Sequence, residues 1–163
     1  MSLLFAAGTR PAVDDVKRLF SEGLFTGKAV RIALVPDPAE GWLELLANGL
    51  SFDLRGLVPA PACAVDPAAR RYGLPAEADL SALEAVSLRP GPSLAGGAAM
   101  IPIVRSIMQI AAILAGALPV CAVSWGPARV WMEPGYFARI IANWLSGGAF
   151  PALGLTAVEP VAG

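Results

Sequence analysis

Histidine is absent from this 163-residue chain. That absence excludes Ser-His-Asp and Cys-His catalysis, and every metal site that needs an imidazole. Cysteine is nearly absent too: Cys63 and Cys121 are too few and too far apart for a disulfide framework, a CxxC redox pair or a zinc site. Cys121 lies in an apolar stretch and reads as a small buried residue. Charge is scarce and balanced, with 12 Lys+Arg against 13 Asp+Glu, and no basic run is longer than two residues, as at Arg70-Arg71. No basic field is available for a phosphate backbone, so nucleic acid is not an expected partner. What the chain has in quantity is apolar surface, 56% of its residues being hydrophobic, which excludes a disordered chain and suits one domain spanning 1–163. Among the basic residues only Lys17 and Lys28 are lysines. The arginine excess reads either as selection for bidentate anion binding or as codon usage that also favours Ala, Gly and Pro.

Two further expectations concern compartment. Residues 1–8 carry no positive n-region and only a short apolar run, so no signal peptide is indicated and a cytoplasmic protein is expected. The stretch from Met100 to Trp125 is the one membrane candidate. Between Pro102 and Pro119 it offers about 17 residues, or about 25 Å of helix, short of the roughly 30 Å hydrocarbon slab. Arg105 and Gln109 lie within it one turn apart, so a buried helix followed by a buried strand is the reading adopted, with no membrane contact.

The hydrophobic pattern alternates between strand and helix. Leu3 to Ala7 reads as a strand, and Pro11 opens an amphipathic helix with Val13, Val16, Leu19, Phe20 and Leu24 on one face. Ala29 to Val35 has period two. Asp37-Pro38-Ala39-Glu40 carries helix-start signals, so a short helix is predicted through Trp42, Leu45 and Leu46, closed by Asn48-Gly49. Leu50 to Leu57 alternates again. Residues 58–81, punctuated by Pro59, Pro61, Pro67 and Pro75, read as a Pro/Ala-rich loop or insert. Beyond it come a strand at Ala85 to Arg89, a Gly/Pro loop, the apolar helix near Pro102 to Gly116, a strand at Val120 to Trp125 and its hairpin partner at Ala128 to Met132. A helix opened by Pro134 and a last strand from Ala152 to about Val158 complete the chain. The fold class is therefore α+β, a mixed or antiparallel sheet with helices packed on it. Its second half is expected to be ferredoxin-like, βαββαβ, with the first half extending or flanking the sheet.

Trp125-Gly126-Pro127-Ala128-Arg129-Val130, followed by Glu133-Pro134 and Phe137, resembles a bacterial family catalogued only as domain of unknown function 4261. The similarity extends over about residues 83–158, including the strand, loop and long apolar helix from Val86 to Leu118. It implies an α+β fold and carries over no catalytic residue.

The sharpest local motif is the glycine-bearing loop Arg89-Pro90-Gly91-Pro92-Ser93-Leu94-Ala95-Gly96-Gly97 between a strand and a helix. Such loops bind anions when glycine lets backbone N–H groups converge at a positive helix end. Arg89, Gly91, Ser93, Gly96, Gly97 and Arg105 are the candidate ligand-binding residues on that reading, and an ordinary strand-to-helix connection is the other. The loop lacks a P-loop Lys-Ser/Thr and a dinucleotide GxGxxG, and its prolines donate nothing. Gly91-Pro92-Ser93-Leu94-Ala95 also approaches a nucleophile elbow, but no histidine can serve as base, and Lys17 and Lys28 lie far off in sequence. The remaining carboxylates have capping or solvent roles, Asp53 and Glu133 being the least easily assigned. No catalytic residue, cofactor or metal is expected. Trp125, Trp131, Tyr136, Trp144 and Phe150 crowd together, read as core or interface, with Trp125, Trp131 and Tyr136 the interface candidates and Trp131 placed on an edge strand. Surplus apolar surface without catalytic side chains points first to a self-associating interaction or assembly protein, expected as a homodimer. The alternative is a module binding a small anion, a phosphorylated metabolite or nucleotide, at Gly91 to Gly97.

Overall fold

In the computed structural model the described residues are 1–76, 80 and 82–157. They form an eight-stranded mixed sheet with helices packed on it, so the fold is α+β. The strands are β1 Ser2–Ala6, β2 Val30–Leu34, β3 Trp42–Ala47, β4 Leu50–Arg55, β5 Arg70–Tyr72, β6 Leu83–Pro90, β7 Ala122–Trp125 and β8 Val130–Met132, in the order β2-β3-β4-β6-β1-β7-β8-β5. The helices are α1 Val13–Ser21, α2 Ile101–Ala117, α3 Pro134–Leu145 and a single-turn α4 Ala152–Leu155. All neighbouring strands are antiparallel except β5 and β8.

The first strand sits in the middle. β1 pairs antiparallel with both β6 and β7, so those two run parallel with β1 in the slot between them, and α2 carries the chain from one to the other. A ferredoxin-like second half would fill that slot with β8 and add a last strand. Instead β8 lies outside β7, and the chain at Ala152–Leu155, expected as a strand, is helical. The reason is local: Ala152 and Leu153 are exposed while Gly154 and Leu155 are buried, so no period-two face exists to lay on a sheet.

The predicted helix through Trp42, Leu45 and Leu46 is strand β3. Leu43, Leu45 and Ala47 are fully buried while Trp42, Glu44 and Leu46 are half-buried, a two-residue period that the capping signals masked. Those signals are real but open only one 3-10 turn, Pro38–Glu40, with the Asp37 carboxylate accepting from the Ala39 N–H at 2.9 Å. Asn48-Gly49 is then a hairpin turn rather than a helix stop. Both residues have positive φ, 51° and 80°, as a two-residue loop between twisted strands requires.

The sheet has two covered faces. On one, Leu3, Phe5, Phe52, Leu54, Val86, Leu88, Val123 and Val130 pack against α1, α2 and α3, contributing most of the core. On the other, Leu4, Ala85, Ala122 and Trp131 are covered by Cys63, Val65, Ala68, Leu74 and Leu80. The described part of 58–81 is therefore a folded layer, not a loose insert: it contributes β5, and the Cys63 N–H donates to the Ala85 C=O at 2.9 Å. The parts of that stretch at 77–79 and 81, and the end of the expected last strand at 158, lie outside the described residues. No helix is long and apolar enough to cross a membrane among the described residues; α2, at 17 residues, holds nine buried positions against the sheet and α3.

Candidate functional site

The glycine loop does not form an anion cradle. Residues Pro92–Gly97 wind into a 3-10 helix that consumes loop N–H groups: Gly91 donates to Ser51 C=O at 2.8 Å, Leu94 to Gly91 C=O at 2.9 Å and Met100 to Gly97 C=O at 2.8 Å. A Cβ at Gly91 would lie 2.3 Å from Ser51 Oγ and 3.2 Å from the Ser51 C=O, so a larger residue there would force the Ser51 side chain to shift. Ser93 and Gly96 are exposed and Gly97 is half-exposed. Arg89 projects to the second face, where its Nε donates to Ser87 Oγ at 2.9 Å and its register partner is Asp53.

Arg105 is elsewhere. Its Nη2 donates to the Leu145 C=O at 3.1 Å and its guanidinium lies 5.1 Å from the Trp144 ring centroid. It therefore caps the last turn of α3, where a cation favours the negative helix end, and does not join the loop. Glu133 is likewise a cap, accepting from the Gly135 and Tyr136 N–H groups at the start of α3. Asp53 is 8% exposed and holds Arg55 through Nη2 and Nε at 2.8 and 3.1 Å.

Of the three interface candidates, Trp125 and Trp131 are buried within the chain and Tyr136 is half-buried. Trp131 is not on an edge, because β5 pairs in parallel beyond β8. It is 6% exposed, donates from Nε1 to the Asp66 C=O at 3.0 Å and is overlain by Arg71 at 5.3 Å. Trp125 is 9% exposed and donates to the Leu155 C=O at 3.1 Å. Tyr136 is half-buried against Tyr72, ring centroids 6.3 Å apart.

Of these candidates Arg89 and Trp125 alone border a pocket of about 420 Å³ at the end of the sheet where β6 and β7 both finish. Leu88, Arg89 and Pro90 border it from β6, Trp125 and Pro127 from the end of β7, and Ile101, Val104 and Ile107 from the first turns of α2. Ala98 and Ala99 keep one wall low, while Phe150 and Leu155 close it from the segment after α3. Met1 also borders it, and burial, then the neighbouring Arg89, push its α-amino group down to about 6.

No family model, curated protein or solved structure matches the chain.

The lining is nearly all apolar, and its volume falls in the range of sites that enclose small molecules. Arg89 is the charged side chain at its border, and among the described residues no carboxylate lies within ion-pair distance of it. Large apolar side chains ring the mouth: Ile101 and Phe150 are 54% and 42% exposed, with Met100 beside them in the chain at 61%. The sequence reads Met100 to Trp125 as a buried helix and strand, with Trp125 as core or interface, and does not show that the start of α2 and the end of β7 leave this space between them. The available signal was the run Gly96-Gly97-Ala98-Ala99, four small residues ahead of an apolar helix, which leaves space where larger side chains would close it.

Proposed function

We propose that this protein is a binding module for a small, largely apolar molecule, held in the pocket between the ends of β6 and β7 and the start of α2. The single observation carrying this reading is a pocket of about 420 Å³ whose lining is nearly all apolar. An acidic end on the ligand would have to draw the Arg89 guanidinium from Ser87 Oγ to the pocket's border, which keeps the anion-binding expectation while moving it from the loop to the pocket. Titration with anilinonaphthalene sulfonate tests the reading, with the neutral phenylnaphthylamine as its uncharged counterpart. Both should bind once per chain with enhanced emission, the anion more tightly, and Ala99→Trp should abolish binding by occupying the space. Absence of emission enhancement, or binding unaffected by Ala99→Trp, would discard the site.

Self-association is the second reading, and Met100, Ile101, Phe150 and Leu153 favour it, because each is large, apolar and exposed. Native mass spectrometry at micromolar concentration should then show a homodimer that Ile101→Glu returns to monomer. A chain that stays monomeric at that concentration removes this reading. Both readings take the protein as cytoplasmic, and membership of the bacterial family that residues 83–158 resemble is part of the same proposal.

A further inference from the structure

Among the described residues β2 is an open edge of the sheet. The Asn48 N–H donates to the Ala29 C=O at 2.9 Å, and antiparallel pairing alternates, so Arg31 opposite Leu46 is the next inward-bonded pair. The N–H and C=O groups of Val30 and Ile32 consequently face away from β3. The irregularity between Ile32 and Leu34 ends the regular edge there, which fixes where an added strand can pair.

Beside this edge runs an open groove of about 590 Å³ between β2 and α1. Phe20 and Phe25, stacked with centroids 4.3 Å apart, line it with Ile32 and Val35, the last 39% exposed. Its charged lining residues are Lys17 and Arg31, and no carboxylate lines it. Lys17 is held only by an exposed pair with Asp14, and among the described residues no carboxylate comes within ion-pair distance of Arg31.

We infer that the α1–β2 groove receives an extended, acidic peptide segment of a partner protein, which adds to the sheet as a strand alongside Val30–Ile32. Unpaired main-chain groups supply the pairing, the aromatic and aliphatic lining takes alternate side chains, and the two cations select acidic residues. A second copy of this chain fits less well, because its own β2 would bring another Arg31 to a groove that already holds only cations.

The test is fluorescence anisotropy with labelled peptides of alternating valine and glutamate, the same peptide with lysine for glutamate, and the glutamate peptide N-methylated on alternate amides. The acidic peptide should bind at least about tenfold more tightly than the lysine one, a difference of about 1.4 kcal/mol, and N-methylation should remove binding. Arg31→Glu should cancel the charge preference, because the new carboxylate offsets the remaining Lys17. Ile32→Pro should weaken binding at least about tenfold, since it deletes an outward N–H that the β2–β3 ladder does not use. Thermal melting reports whether that variant keeps its fold, and if it does not, the N-methylated peptide decides. Equal affinity for both charges, undiminished binding of the N-methylated peptide, or no binding of the acidic peptide at millimolar concentration overturns the proposal. So does a homodimer that Ile32→Pro dissociates, because a second copy would then occupy the edge.

Discussion

Arg10→Ala should lower the unfolding free energy by about 1–3 kcal/mol, which urea denaturation at neutral pH would measure. Arg10 is a surface residue by sequence but its side chain is only 11% exposed. Its Nε donates to Glu84 Oε2 at 2.9 Å, and its Nη1 donates to the Ala60 C=O at 3.0 Å and to the Gly56 C=O. One guanidinium thus joins the turn after β1, the chain leaving β4 and the start of β6. Removing it strips two main-chain carbonyls and a carboxylate of their donor at once, and water reaches only part of that space. Arg10→Lys recovers less than half of the loss, because one ammonium cannot span three acceptors that a planar fork reaches. The same contact makes stability depend on acid. The hydrogen bond from Arg10, then the one from the Gly8 N–H, hold the Glu84 carboxyl below the usual glutamate range. Its contribution is therefore complete above the unfolded-state value near about 4.3 and declines as pH falls through the lower folded-state value. Wild type should lose more of its urea midpoint between neutral and acid pH than Glu84→Gln does.

Much of the fold was legible where one local signal acted alone. Period two at Val30, Ile32 and Leu34 and at Leu50, Phe52 and Leu54, and the apolar run from Ile101, located β2, β4 and α2 directly. The misreading at Trp42–Ala47 came from two signals in competition, since Asp37-Pro38-Ala39-Glu40 opens a helical turn and Gly41, at φ 61°, stops it within three residues. Strand order was not legible, because nothing local says that Ser2–Ala6 pairs with residues 77 to 85 positions away at β6 and 118 to 122 away at β7. That placement decided the site. With β1 in the slot between β6 and β7, β8 is displaced outward, and β5 then covers the strand that should have exposed Trp131. The separation of Arg105 from Gly91–Gly97 has a similar origin. Spacing places Arg105 in the second turn of α2, but only the packing of α3 against that helix decides that it points to the Leu145 carbonyl.

Trp125→Ala should be among the most damaging single changes in the molecule, costing about 3–5 kcal/mol for a buried tryptophan truncated to alanine. Two losses add. The indole is 9% exposed within the core that α2 and α3 cover, and its Nε1 is the donor to the Leu155 C=O at 3.1 Å, which anchors the segment after α3 to the end of β7. Leu155 is itself 7% exposed, so its carbonyl is poorly placed to find water in exchange. Trp125→Phe separates the two losses, since it keeps most of the apolar body and should cost only about 1–2 kcal/mol, the share of the missing hydrogen bond. Hydrogen exchange then locates the effect: the Leu155 and Thr156 amides, which donate to Pro151 and Ala152 at 3.1 and 2.9 Å, should lose protection in Trp125→Phe while those of α2 do not. Because Trp125 and Leu155 also wall the pocket, probe affinity should fall with the same substitution. Trp131→Phe is the matched control, removing an indole bond to the Asp66 carbonyl on the opposite face of the sheet. It should lower stability by about 1 kcal/mol and leave probe binding unchanged. If both variants weakened the probe equally, affinity would be tracking general stability, and the pocket beside Trp125 would lose its claim to be where the ligand sits.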